Sequence, residues 1–201
     1  MAIKTAQDLF VNELRDIYHA EKQALKAYPK LIKQAQSPEL RQAFEEHAEQ
    51  TRGQVDRLEQ VFDKLDLGKR AKRCEAMEGL LEEARSHMEE IEDKAVLDVA
   101  MIVSAQKVEH YEIAAYGSMV AMARQLGHDE VVPLLQATLE EEKATDERLS
   151  QVAESVANPK APAGGEPAEA EGEETGDEDD ADVAQEQPSR GGKGRGKNKA
   201  A

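Results

Sequence analysis

The chain has 201 residues, 34% of them charged and 3% aromatic, with no Trp and a formal net charge of −16. That length holds one domain of about 150 residues and an extra segment. The composition suits helices with Leu, Ala, Val and Met in the core rather than a sheet protein, and the acidity disfavours bulk nucleic acid or an anionic membrane as partner while attracting cations.

The amino terminus lacks the hydrophobic stretch of a signal peptide, and no apolar run approaches the ~20 residues of a membrane span. A cytoplasmic protein is expected. Thr5 followed by Asp8 reads as a helix start. The first apolar stripe is Phe10, Leu14, Ile17, Glu21, Ala24, Tyr28 and Leu31, at helical spacing, with an acid in its middle. Pro29 is expected to kink this helix, because it removes a backbone donor.

Ser37 and Pro38 form the next start signal, a capping hydroxyl followed by proline at the first position. The second stripe is Leu40, Phe44, His47, Thr51, Val55 or Gln54, Leu58 and Phe62, and the helix ends before Gly68. A shorter amphipathic segment carries Cys74, Met77, Leu81, Ala84, Met88 and Ile91 on one face. Cys74 is the only cysteine, so no intramolecular disulfide forms. It reads as a small buried residue.

The segment 95–126 is apolar on two faces and therefore largely buried. One stripe runs Leu97, Met101, Ser104, Val108, Tyr111, Ala115, Met122. The other runs Val99, Ile102, Gln106, Glu109, Ile113, Tyr116, Val120, and Glu112 lies one turn beyond Glu109. Gly127 stops this helix, Asp129 is the expected cap of the next, and Pro133 fits its first turn. The last stripe is Val131, Leu135, Thr138 or Leu139, Glu142, Asp146 or Thr145, Leu149, Val152 and Val156.

Residues 1–157 thus read as one helical domain. Residues 158–201 are poor in large apolar residues and read as a disordered tail. The tail has an acidic block, 166–186, and a basic Gly/Lys/Arg block, 190–199. The fold class expected is all-α. Four long helices with short links in the first and last pairs, and a link of about 30 residues carrying a short fifth helix between them, make a ferritin-like four-helix bundle with one long crossover.

Glu21, His47, Glu109 and Glu142 each interrupt an apolar stripe, one per helix. An ionised group in the core is strongly unfavourable unless paired, and a shared metal centre is the economical partner. Carboxylates are hard oxygen ligands that bridge metals and imidazole fills a terminal position, which suits iron or manganese. Glu21 with Glu109, and His47 with Glu142 and Asp146, form the expected ligand set, and Glu112 and Gln50 are further candidates at or beside such a centre. The ordinary alternative pairs each acid with a cation, and Arg57 and Lys107 are available. His19 and His87 read as solvated, His128 as a turn residue, and His110, beside Glu109, as a lesser functional candidate. The Glu-x-x-His signature of ferritin-like metal sites is absent: Phe44 precedes His47 by three, and Thr145 follows Glu142 by three.

At these residues the sequence resembles the YciE/YciF-like ferritin-like family of bacterial stress proteins. The matching stretches are 13–23 (ELRDIYHAEKQ), 43–47 (AFEEH), 54–59 (QVDRLE), 74–80 (CEAMEGL), 106–113 (QKVEHYEI) and 139–146 (LEEEKATD). The resemblance implies a ferritin-like fold, homodimers, a link to stress responses and a di-metal site to which Glu21, His47, Glu109, Glu112, Glu142 and Asp146 belong. Ferroxidase or peroxide-consuming chemistry is the activity it implies. Gln50 stands where relatives are expected to carry Glu. Two other functions compete: a helical interaction module with a degenerate metal site, and nucleic-acid association through 190–199.

Overall fold

The computed structural model describes residues 3–164, and the expectations for the tail beyond 164 lie outside the described residues. The described chain is all helical. Five α-helices follow one another: α1 (Ala6–Gln34), α2 (Pro38–Lys64), α3 (Glu75–Glu90), α4 (Lys94–Leu126) and α5 (Val132–Val152). A π-helical turn, Ala153–Ala157, and a 3-10 turn, Asn158–Lys160, continue α5 and pack on α4.

Local signals account for most helix ends. Thr5 and Asp8 form a reciprocal capping box at α1, each side chain taking a backbone N–H of the other at 3.0 Å. α1 runs on through Pro29 to Gln34. Pro29 sits on the exposed face, where solvent can take up the carbonyl that loses its donor. Ser37 Oγ accepts the Leu40 N–H at 3.0 Å to start α2, and Asp93 accepts two N–H groups to start α4. Gly127, in the left-handed conformation with φ of 77°, ends α4. Asp129 does not cap α5. The chain enters that helix through buried Val131, which has helical backbone angles and no side-chain cap, so a packed residue occupies the capping position.

Packing closes a ring: α1 lies on α2, α2 on α5, α5 on α4, and α4 returns to α1. The short third helix lies against α4 and α1, burying only Met77 completely. Phe10, Phe44, Phe62, Met119 and Leu135, from all four long helices, fill the interior. The α1–α2 link is tied across the ring by Asp98 of α4, whose two carboxylate oxygens accept the N–H groups of Gln36 and Ser37, each at 2.8 Å. No helix among the described residues is long and apolar enough to cross a membrane.

Candidate metal centre

Helical spacing alone places the acids. Glu109 and Glu112, three apart, share one face of α4, and Tyr116 is the next residue on that face. On α2, His47, Thr51, Gln54 and Leu58 keep the same spacing. Because the ring is closed, these faces meet Glu21 of α1 and Glu142 of α5 in its interior. Glu21, Glu109, Glu112 and Glu142 are each at most 2% exposed, and His47 is 3% exposed.

His47, Glu109, Glu112 and Glu142 each offer a ligand atom, and these atoms all lie within 4.8 Å of one another. His47 Nε2 is 3.2 Å from Glu109 Oε1 and 3.4 Å from Glu142 Oε2, with hydrogen-bond geometry to neither. Its other nitrogen, Nδ1, lies 3.1 Å from Gln50 Oε1 and 3.1 Å from Thr145 Oγ1. With the Nδ1 proton donated to Gln50 Oε1, the Nε2 lone pair faces the carboxylates, the orientation a metal-binding imidazole needs. Tyr28 packs edge-on to the imidazole, with ring centroids 5.6 Å apart.

Neighbours also fix the acids. Tyr116 donates its phenol proton to Glu21 Oε1 at 2.5 Å. Gln54, fully buried, donates its amide to Glu142 Oε1. Each of these bonds holds one carboxylate oxygen and leaves the other free. The free atoms Glu21 Oε2, Glu109 Oε2, Glu112 Oε1, Glu142 Oε2, His47 Nε2 and Gln54 Oε1 are all buried without a hydrogen-bond partner. Orphaned buried acceptors are rare and costly, about 1–3 kcal/mol each. Four of the six residues, His47, Glu109, Glu112 and Glu142, form the group whose ligand atoms lie within 4.8 Å of one another, an arrangement that fits a cation.

The electrostatics agree. Desolvation by burial, aided by the nearby Glu142 charge and opposed by the Tyr116 hydrogen bond, raises Glu21 from 4.5 to about 8. Burial likewise raises Glu109 to about 8. It holds Glu112 and Glu142 well above the usual carboxylate range, with the neighbouring acids adding to the effect. The cations that could have neutralised them are engaged elsewhere: Arg57 pairs with Glu141 and Lys107 with Glu83.

The other expected residues fall outside this cluster. Asp146 is 23% exposed, with His110 Nε2 3.3 Å from Oδ2 and the Gln106 amide on Oδ1 at 3.1 Å. His110 itself is 70% exposed. Gln50 is exposed and sits behind the imidazole. His19 and His87 are half-buried rather than solvated. His19 Nδ1 accepts the Cys74 N–H at 3.1 Å, and His87 Nδ1 lies 3.2 Å from Ser104 Oγ, because the α3 segment packs on α1 beside His19 and, carrying His87 itself, on α4. Sequence reasoning passed over Gln54 and Tyr116 as site residues, although both lie on the stripes it drew.

A family model described as a domain of unknown function (DUF892) matches residues 5–162. Protein YciF of Escherichia coli strain K12 is 46% identical over 162 residues, which is 80% of this chain and 98% of that protein. The chain belongs to this YciF-like family. The crystal structure of the E. coli stress protein YciF matches with a TM-score of 0.75 at 46% identity, covering 79% of this chain and 100% of that one. YcfI from Rhodopseudomonas palustris matches with a TM-score of 0.74 at 48% identity, covering 75% of this chain and 96% of that one. A Xanthomonas campestris protein shares the fold at 24% identity and a TM-score of 0.59 over 76% of this chain and 93% of that one.

Proposed function

We propose that this YciF-like chain is a ferritin-like four-helix bundle, working as a homodimer, that binds two iron or manganese ions and serves in oxidative or general stress protection. The observation that carries this reading is the set of orphaned ligand atoms converging from α2, α4 and α5, with the orphaned Glu21 Oε2 of α1 buried in the same bundle. Glu109, Glu112, Glu142 and His47 hold one ion. Glu21, whose free Oε2 faces the same interior, and Glu142 extend the site toward a second. Iron or manganese bound there supplies redox chemistry toward ferrous iron, oxygen or peroxide, of the ferroxidase-like or peroxide-consuming kind.

The chain's own residues set up that chemistry. Tyr116 and Gln54 orient Glu21 and Glu142 through one oxygen each, while Gln50 and Thr145 orient His47. Before metal enters, the raised carboxyl groups hold protons, and these leave as ligation begins. Tyr28 and the apolar walls exclude water.

Anaerobic titration with ferrous iron tests the reading. About two ions per chain are expected, and Glu109→Ala removes this uptake. Failure of the intact protein to take up any transition metal refutes it. If the chain is an interaction module instead, Glu109→Leu changes neither metal content nor partner binding.

A further inference from the structure

A second polar cluster lies beside the metal centre, and the proposed chemistry does not use it. Tyr111 of α4, Cys74 at the start of α3 and Asp16 of α1 converge from three helices. Tyr111 donates its phenol proton to Asp16 Oδ2 at 2.9 Å. Cys74 Sγ, fully buried, lies 3.0 Å from the same phenol oxygen. Since the phenol has one proton and Asp16 takes it, the thiol is the donor to Tyr111. The three groups form a directed chain: thiol to phenol to carboxylate. Lys72 Nζ lies 3.5 Å from Asp16 Oδ1, and Asp16 is 17% exposed, so a proton arriving there can reach solvent.

The cluster adjoins the centre. Tyr111 directly precedes Glu112 in the chain, so the cluster and the centre are carried by neighbouring residues of α4. A tyrosine whose proton already has an acceptor is prepared to lose an electron, and a thiol already bonded to its oxygen is prepared to return a hydrogen atom.

We propose that Tyr111 is a redox-active residue that supplies one electron to hydrogen peroxide reduction at the metal centre, with Cys74 restoring it. This rests on the metal-binding reading above. Two ferrous ions supply both electrons that peroxide needs. One ferrous ion supplies a single electron and would leave a hydroxyl radical, and Tyr111 furnishes the second. The balance is Fe2+ + H2O2 + Tyr111–OH + Asp16–COO− + 2 H+ → Fe3+ + 2 H2O + Tyr111–O• + Asp16–COOH, the phenol proton passing to Asp16 and the two protons for water coming from solvent. Cys74 then reduces the phenoxyl radical: Tyr111–O• + Cys74–SH → Tyr111–OH + Cys74–S•. The arrangement confines radical chemistry to two residues held by three helices and prevents release of hydroxyl radical.

The test uses the full-length protein, its Tyr111→Phe variant and its Cys74→Ser variant, which keeps a helix-capping hydroxyl. Anaerobic iron binding is measured first and is expected to be equal in all three. Each is then loaded with a single ferrous ion per chain, mixed with hydrogen peroxide, freeze-quenched and read by electron paramagnetic resonance. A phenoxyl signal is expected in the unaltered protein, lost in Tyr111→Phe and longer-lived in Cys74→Ser. An iron-loaded protein without a phenoxyl signal, a signal unchanged in Tyr111→Phe, or equal lifetimes with and without the thiol overturns the relay. Absence of iron uptake in the unaltered protein instead refutes the metal-binding reading, and the relay falls with it.

Discussion

The buried carboxyl groups make a quantitative prediction about pH. In the folded, metal-free protein Glu21 and Glu109 titrate at about 8, against an ordinary 4.5 for an exposed carboxyl. Between those values the folded chain holds a proton on each that the unfolded chain has lost. The contribution of these two groups is therefore fully present below about pH 4.5, declines as pH rises, and is spent above about pH 8, and Glu112 and Glu142, raised in the same direction, deepen the decline. Each group contributes roughly 1.4 kcal/mol per pH unit, so the pair gives roughly 3 kcal/mol per unit within the window. That is a large fraction of the ~5–15 kcal/mol that holds a domain folded. Bound metal reverses the balance, because ligation ionises the same groups in the folded state, and its stabilisation grows as pH rises. The assay is urea unfolding followed by circular dichroism at several pH values, with chelator and with manganese. In chelator the midpoint should fall by about 1 M urea per pH unit. At ~100-fold excess over its dissociation constant, manganese should restore about 3 kcal/mol at the alkaline end. A chelated protein equally stable at about pH 5 and about pH 8, or a manganese increment independent of pH, refutes the assignment of buried, neutral carboxyl groups.

Three substitutions probe the surroundings. Gln54→Leu frees Glu142 Oε1 from its amide donor and should weaken metal affinity by about 10–100-fold in a competition titration, while the fold persists. Asp98→Ala removes both hydrogen bonds to the α1–α2 link and should cost about 3 kcal/mol of unfolding free energy, measured with the metal centre empty or filled. Asp146→Ala should leave metal stoichiometry unchanged, since that carboxylate faces His110 and Gln106. Lost uptake in this variant would return Asp146 to the ligand set.

The helices and their order were legible because their signals are local. Thr5, Ser37 and Gly127 act on groups within a turn of themselves, and a 3.6-residue apolar stripe is a property of one segment. Where the reading missed, the deciding partner lay on another helix. Asp129 yielded the α5 start to Val131 because that residue is packed into the core. His19 left solvent because the start of α3 lies on it, and His87, on α3 itself, because that helix packs on α4. Asp98 had no visible role until the link 61 and 62 residues earlier in the chain folded against it.

The site divides the same way. That Glu21, His47, Glu109 and Glu142 face the interior follows from their positions on apolar stripes, which the one-dimensional order of residues determines. Which of two stripe-compatible residues enters the centre does not, as with Gln54 against Val55 or Thr145 against Asp146. Adjacent choices differ by about 100° around the helix, and only the approach of the facing helix settles which one is enclosed. The same approach directs Arg57 and Lys107 to Glu141 and Glu83 and leaves the interior carboxyl groups without a cation of the chain's own. Local periodicity sets which faces turn inward. Tertiary packing decides which groups meet and which of them stay unneutralised, because pairing energies depend on distances between helices that no single segment encodes.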